Sequence, residues 1–301
     1  MRRFYQISPL TYKISRMKEI SKRNVKDILS SKKFAKDFGS EKLPYLIYKH
    51  NSLIRRKLNN VDSNLQNNKA VNLSIAAPKV TNILIKPGET FSFWKLVGPV
   101  TKKRGYLEGL TVKSGSVDRD IGGGMCQFTN LIHWMVLHSS LDIVEHHHHH
   151  GIDMFPDFGR KVPFGTGTSI MYNNLDYQFT NNTKDTTYQL IVYTTDEYLM
   201  GELRADKKEK YKYHIKEDFS YFAKDENGVM YRNNQVSKKC IDKVTGNIVY
   251  NKVLVKNHAK VLYDYKFIDK DFMKMYKEKK LSEKIKIIGG YIWKKGMLYV
   301  L

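Results

Sequence analysis

Residues 122–153 read GGGMCQFTNLIHWMVLHSSLDIVEHHHHHGID and hold one of the two cysteines and seven of the ten histidines. A glycine run feeding a cysteine at the start of an apolar, helix-periodic stretch suits an acyl-transfer nucleophile. Gly122, Gly123 and Gly124 reach backbone angles closed to other residues and let the chain come close to a substrate. Cys126 then falls in the first turn of a helix, where unpaired N–H groups and the helix dipole favour a thiolate. The N–H groups from Met125 to Gln127, with the Gln127 side chain, could hold the oxyanion of a carbonyl substrate. The plainer alternative is a buried structural cysteine packed beside Met125 and Phe128.

After this helix, SLDIVE reads as a strand running into five histidines. In an extended chain His147 and His149 share one face, and His146, His148 and His150 the other. A face turned toward Cys126 would complete a Cys–His pair, oriented by a third group. Asp153 and Asp176 are the candidates for that group, with Asp157 and Glu145 behind them. The same residues offer a rival chemistry, in which His147, His149 and Asp153 hold zinc. Their spacing matches no short metallohydrolase motif. His133 lies two turns from Cys126, about 10 Å along the axis, too far for a direct hydrogen bond. It is read with His138 as structural, and Cys240 and His258 show no partner for chemistry.

The positioning elements follow from periodicity. Residues 14–33 read as a basic helix, and a second helix is expected after Pro44 in EKLPYLIYKHNSLIRRKLNN. From residue 71 the pattern becomes short strands broken by turns, with a turn at Pro87-Gly88 and strand alternation at Phe91 and Phe93. The central helix is expected from Cys126 to about His138. Residues 164–193 read as strands split by an Asn-Asn turn and belong in the main sheet. The tail has turn signals at DENG and DKVTGN, and a charged helix is expected near 270–285. The expected fold is α+β: a central mixed or antiparallel sheet packed on the helix that starts at Cys126. The expected organisation is a basic helical region at 1–68, the α+β core at 69–204, a small β appendix at 205–265 and a tail at 266–301.

The net charge is +22. Residues 1–60 alone carry 16 Lys or Arg against 4 Asp or Glu, a net of +12. Such a field favours anionic partners. Nucleic acid rests on charge alone, since no zinc finger or helix-turn-helix pattern is present. An anionic cell-wall precursor could lie on the aromatic strand with Trp94, the loop around Tyr106 and the basic surface with Arg160. Alternatively the basic first residues could lie on an anionic membrane face. Two cysteines exclude a disulfide framework. No apolar run has signal or membrane-spanning length, so a cytoplasmic protein, peripheral on the inner membrane face in the lipid-binding reading, is expected.

Several strings together resemble the VanW family: LQNNKAVNLSIA, IKPGETFSFWKLVGP, KKRGYLEG, GGGMCQFTNLIHWMVLHSSLDIVE, DMFPDFGRKVPFGTGTSIMYNNLDYQFTNNT and YTTDEYLMGELR. The likeness extends over about residues 1–265. It departs at Thr168-Ser169, where the family expects Ala before Thr. The resemblance implies a role in glycopeptide resistance or cell-envelope metabolism; apart from the zinc alternative above, no cofactor is expected. It also sets one histidine apart in the run, His149 first and His148 second. The order of glycine turn, cysteine, strand, histidine and aspartate is similar to the papain and transglutaminase arrangement. On that likeness the chain would be a Cys-His amidase, peptidase or acyltransferase on a peptidoglycan-related substrate. Otherwise it would be a binding module or a membrane-associated scaffold.

Overall fold

The computed structural model describes residues 4–56, 62–113, 116–148, 151–157 and 160–268, and the backbone of 291–294 and 297–300. The helix expected near 270–285 lies outside the described residues. Two compact units divide the chain. The first takes residues 1–149, 166–215 and 238–252; the second takes 150–165, 216–237 and 253–301.

Helix α1 spans Pro9–Leu29, with Ser8 closing a capping box on Thr11 and a proline in its first turn. Strand β1 is Lys33–Phe34 and β2 is Tyr45–Leu53. The helix expected after Pro44 is therefore a strand. Tyr45, Ile47 and Tyr48 suit a pleated surface, and antiparallel pairing with residues 198–205 decides the outcome over local spacing. Helix α2 covers Ser63–Ala76, capped by Asp62, and buries Leu65, Leu73 and Ala76. It replaces the strand character expected from residue 71.

Next come β3 (Ile83–Ile85), β4 (Glu89–Ser92), the short α3 (Phe93–Val97), β5 (Glu108–Lys113) and β6 (Ser116–Ile121). The central helix α4 is Met125–Leu137, so it starts one residue before Cys126. Ten of its thirteen residues are buried, which makes it a core helix rather than a surface one. It leads to β7 (Asp142–Glu145) and the two-residue β8 (Ile152–Asp153). Strands β9 (Gln178–Thr180), β10 (Tyr188–Thr194), β11 (Tyr198–Ala205), β12 (Tyr211–Lys224), β13 (Met230–Asp242) and β14 (Ile248–Val261) follow.

The architecture is α+β. One mixed sheet has the order β1-β4-β9-β7, with β1 parallel to β4 and the rest antiparallel. An antiparallel sheet has the order β2-β11-β10-β3. Strands β5 and β6 form a hairpin, and β12-β13-β14-β8 form a further sheet. Helix α4 packs its Leu131 and Met135 onto β11, where a Cβ at Gly201 would lie 2.6 Å from Met135 Cε. Glycine at 201 is what lets helix and sheet close together. Phe93 meets Phe128 edge-on at 5.3 Å, and Phe91 stacks on Phe179 at 4.6 Å, continuing the core into the mixed sheet.

Candidate functional site

The glycine turn ahead of α4 uses its conformational freedom. Gly122 (φ 83°) and Gly124 (φ 109°) hold left-handed backbone. A Cβ at Gly123 would lie 2.6 Å from Gly109 Cα, and one at Gly122 would lie 2.7 Å from Val100 Cβ. The close approach these glycines permit is to the chain's own β5 and Val100. Asn72 of α2 fixes the arrangement. Its Nδ2 donates to Gly123 O at 2.9 Å and Leu107 O at 3.0 Å, and its Oδ1 accepts from Leu107 N–H at 2.8 Å.

Cys126 is the second residue of α4 and is half-buried. Burial pushes its thiol above the usual value, against a hydrogen bond from the Ile170 backbone that works the other way. The helix start was expected to lower it; burial is instead the largest influence here. Thr168 and Ile170 lie beside Cys126. Thr168 donates its N–H to Asn130 Oδ1 at 2.6 Å and its hydroxyl to the same oxygen at 2.9 Å. Its hydroxyl also bonds Thr129 Oγ1 and reaches Cys126 O at 3.5 Å. Among the described residues no imidazole hydrogen-bonds the sulfur. The Gln127 amide donates to Ser52 Oγ at 2.9 Å and Leu53 O at 2.8 Å, so it fastens α4 to β2 instead of facing an oxyanion.

The strand β7 ends at Glu145, so His146, His147 and His148 do not alternate on a strand. His146 stacks on His133 with centroids 4.4 Å apart and directs Nε2 to Gly167 O at 2.9 Å. His133 is buried, with Nδ1 3.1 Å from Tyr177 OH. Burial first, then His146, His148 and Lys238, holds its pKa well below the usual imidazole value. His147 Nε2 lies 3.0 Å from Glu145 Oε1. His149 and His150 lie outside the described residues, and with them the favoured Cys–His pair and the zinc set of His147, His149 and Asp153. Among the described residues no group of three or more His, Cys, Asp or Glu is placed to hold a metal ion.

The carboxylates are committed elsewhere. Asp176 accepts from Ser92 Oγ at 2.6 Å, Trp94 N–H at 3.1 Å, Tyr177 N–H at 2.8 Å and Gln178 Nε2 at 3.0 Å. It ties the start of α3 to β9, and burial raises its pKa despite these donors. Asp153 belongs to the second unit, where Tyr263 OH donates to it at 3.1 Å and Arg232 lies 3.5 Å away. Arg232 also grips Asp157 through two bonds of 2.8 Å. Arg160 pairs with Asp157 at 3.2 Å and stands over the Phe164 ring.

Trp94 and Tyr106 are core residues, 4% and 0% exposed, which corrects their placement on a ligand-facing surface. The Trp94 indole donates to Leu175 O at 2.9 Å. Cys240 is buried, and His258 stacks on Tyr231 while Nδ1 meets Asn233 Oδ1 at 2.7 Å, a structural contact.

Two residues were missed by sequence reasoning. Arg23 of α1 donates to both oxygens of Glu145, and only its place on a basic helix hinted at it. Lys69 of α2 lays its stem over the glycine turn, where a Cβ at Gly124 would lie 2.6 Å from its Cγ. Burial first, then Arg56 and Arg55, lowers its ammonium to about 7. The only sequence signal was a lysine in a stretch lacking acids.

The family model described as VanW like protein matches residues 68–204, which include the glycine turn, Cys126, Glu145 and Asp176. The chain is 34% identical over 230 residues to the vancomycin B-type resistance protein VanW of Enterococcus faecalis (strain ATCC 700802 / V583), covering 76% of this chain and 82% of the relative. It is 29% identical over 113 residues to the uncharacterized protein YoaR of Bacillus subtilis (strain 168), 36% of this chain and 34% of that one. No solved structure matches it significantly. The turn held by Asn72, the helix it opens, Glu145 and Asp176 all fall inside the matched region, and by that match and the length of the Enterococcus alignment the chain belongs to the VanW family.

Proposed function

We propose that the chain is an accessory protein of glycopeptide resistance or cell-envelope metabolism, and that it works by binding an anionic envelope component. The resistance role is carried over from the name of the Enterococcus relative. The observation that favours binding over thiol chemistry is the state of Cys126. Burial pushes its thiol pKa up, away from the thiolate, and no imidazole among the described residues bonds the sulfur; a protonated thiol is a poor nucleophile. The net charge of +22 supplies the attraction for an anion.

The test is replacement of the Enterococcus relative by this chain, with growth in vancomycin as readout. The unsubstituted chain, Cys126→Ala and Cys126→Ser are all expected to restore growth equally. Failure of the unsubstituted chain would overturn the resistance role. Loss in both Cys126 variants, with unfolding midpoints unchanged, would overturn the binding reading and restore the cysteine as nucleophile.

A further inference from the structure

Helix α1 is docked by the wrong face for an ordinary surface helix. Tyr12, Ser15, Glu19, Arg23 and Asp27 recur every three or four residues and form its half-buried side. Apart from Ile20, which is also half-buried, that side is polar and held by charge. Arg23 bonds Glu145, Asp27 pairs with Arg23 at 3.2 Å, and Lys95 pairs with Asp27 at 3.0 Å. The opposite side carries Leu10, Ile14, Met17, Val25 and Ile28 at the same spacing, completed by Ser21. These apolar residues are 66%, 47%, 59%, 55% and 81% exposed. Phe4 and Ile7 continue the stripe ahead of the helix, also exposed. A soluble helix turns such a stripe inward. Helix α1 buries none of it.

The charges select what covers the stripe. Lys13 borders it on one side and Lys18 and Lys22 on the other, all exposed. The two acids of α1, Glu19 and Asp27, both face inward, so the outward side carries cations alone. A second copy of the chain would set lysine against lysine. An anionic bilayer instead accepts the apolar stripe among its acyl chains and the lysines at its headgroups. No helix among the described residues is long and apolar enough to cross a membrane, so the contact is with the surface. We infer that α1 is an interfacial helix that lays this chain flat on an anionic lipid surface through Leu10, Ile14, Met17, Val25 and Ile28. The inference stands on α1 and is independent of Cys126.

Co-sedimentation of the full chain with vesicles tests it, using phosphatidylcholine alone and phosphatidylcholine containing phosphatidylglycerol. The chain is expected to pellet with the anionic vesicles, less so in high salt. Ile14→Asp with Met17→Asp should abolish pelleting. Lys13→Gln with Lys18→Gln and Lys22→Gln should weaken it on the order of a hundredfold, from the attraction of each lysine to the surface. Arg23 is untouched in both variants, so unfolding midpoints should hold. No pelleting of the unsubstituted chain, or pelleting that neither variant reduces, would overturn the inference. So would a dimer in light scattering that Ile14→Asp with Met17→Asp dissolves, since the stripe would then belong to a second copy. Cys126→Ala should pellet like the unsubstituted chain, which separates this result from the growth test.

Discussion

Arg23 and Glu145 form a two-pronged ion pair, with Nη1 to Oε1 at 2.9 Å and Nη2 to Oε2 at 2.7 Å. Residues 122 positions apart are joined, and α1 is tied to the end of β7. The pair sits in a shared carboxylate cluster. Glu145 Oε1 also accepts the Asp176 N–H at 2.9 Å, and Asp176 Oδ2 is 3.6 Å from Arg23. Burial would push Glu145 up, but Arg23, the Asp176 backbone and His147 together hold it below the usual range. Arg23→Met leaves the carboxylates without their counter-ion and is expected to cost about 3–5 kcal/mol in denaturant unfolding. Arg23→Lys should recover only part of this, because an ammonium cannot supply the planar fork. A loss below the size of an exposed pair, under about 1 kcal/mol, would show the cluster to be solvated.

Local pattern made some of this visible. The apolar run after the glycines announced α4, and DIVE announced β7. The signals DENG and DKVTGN mark turns where Gly228 and Gly246 take positive φ. What stayed hidden was set by distant partners. Tyr45 to Leu53 carry a spacing that fits a helix or a strand, and only pairing with β11 decides. Cys126 has the sequence context of a reactive thiol, yet its environment is built by Thr168 and Ile170, more than forty residues on. The apolar stripe of α1 could be counted from sequence, but that it faces outward depends on Glu145 and Lys95 holding the polar side.

Acid should act on this protein through its interior imidazoles. His138 stacks on Tyr48 at 3.9 Å, bonds Trp134 O at 2.8 Å, and is lowered by burial first to about 4. The Trp134 carbonyl opposes that shift, while Lys238, His50 and His214 add to it. His133 moves in the same direction. An unfolded histidine takes a proton near 6.5, and the folded one refuses it until about 4. Stability from this group is therefore complete above 6.5 and drains as pH falls between those values. Urea midpoints should drop from pH 7 to pH 5, and His138→Gln should flatten part of that slope. An identical slope in the variant would mean that His138 titrates normally.

Lys69 runs to the opposite end of the pH scale. Its ammonium is lowered to about 7 by burial, with Arg56 and Arg55 adding like-charge repulsion. Arg55 is held in place by bonds to Asn67 Oδ1 at 2.9 Å and Asp196 O at 2.6 Å, so it cannot swing away freely. The unfolded chain keeps this proton up to about 10.5. The folded chain therefore gains stability as pH rises from about 7 toward 10.5, and Lys69→Met should remove that rise while raising stability at neutral pH. Near pH 7 the neutral fraction of this amine exceeds that of an ordinary lysine on the order of a thousandfold. Acylation by an N-hydroxysuccinimide ester at pH 7, followed by peptide mass spectrometry, should mark Lys69 ahead of exposed lysines such as Lys103. Arg55→Ala with Arg56→Ala should slow the reaction in part, since burial, the larger cause, remains. If Lys69 reacts no faster than Lys103, and Lys69→Met leaves the alkaline slope intact, the amine is solvated and ordinary.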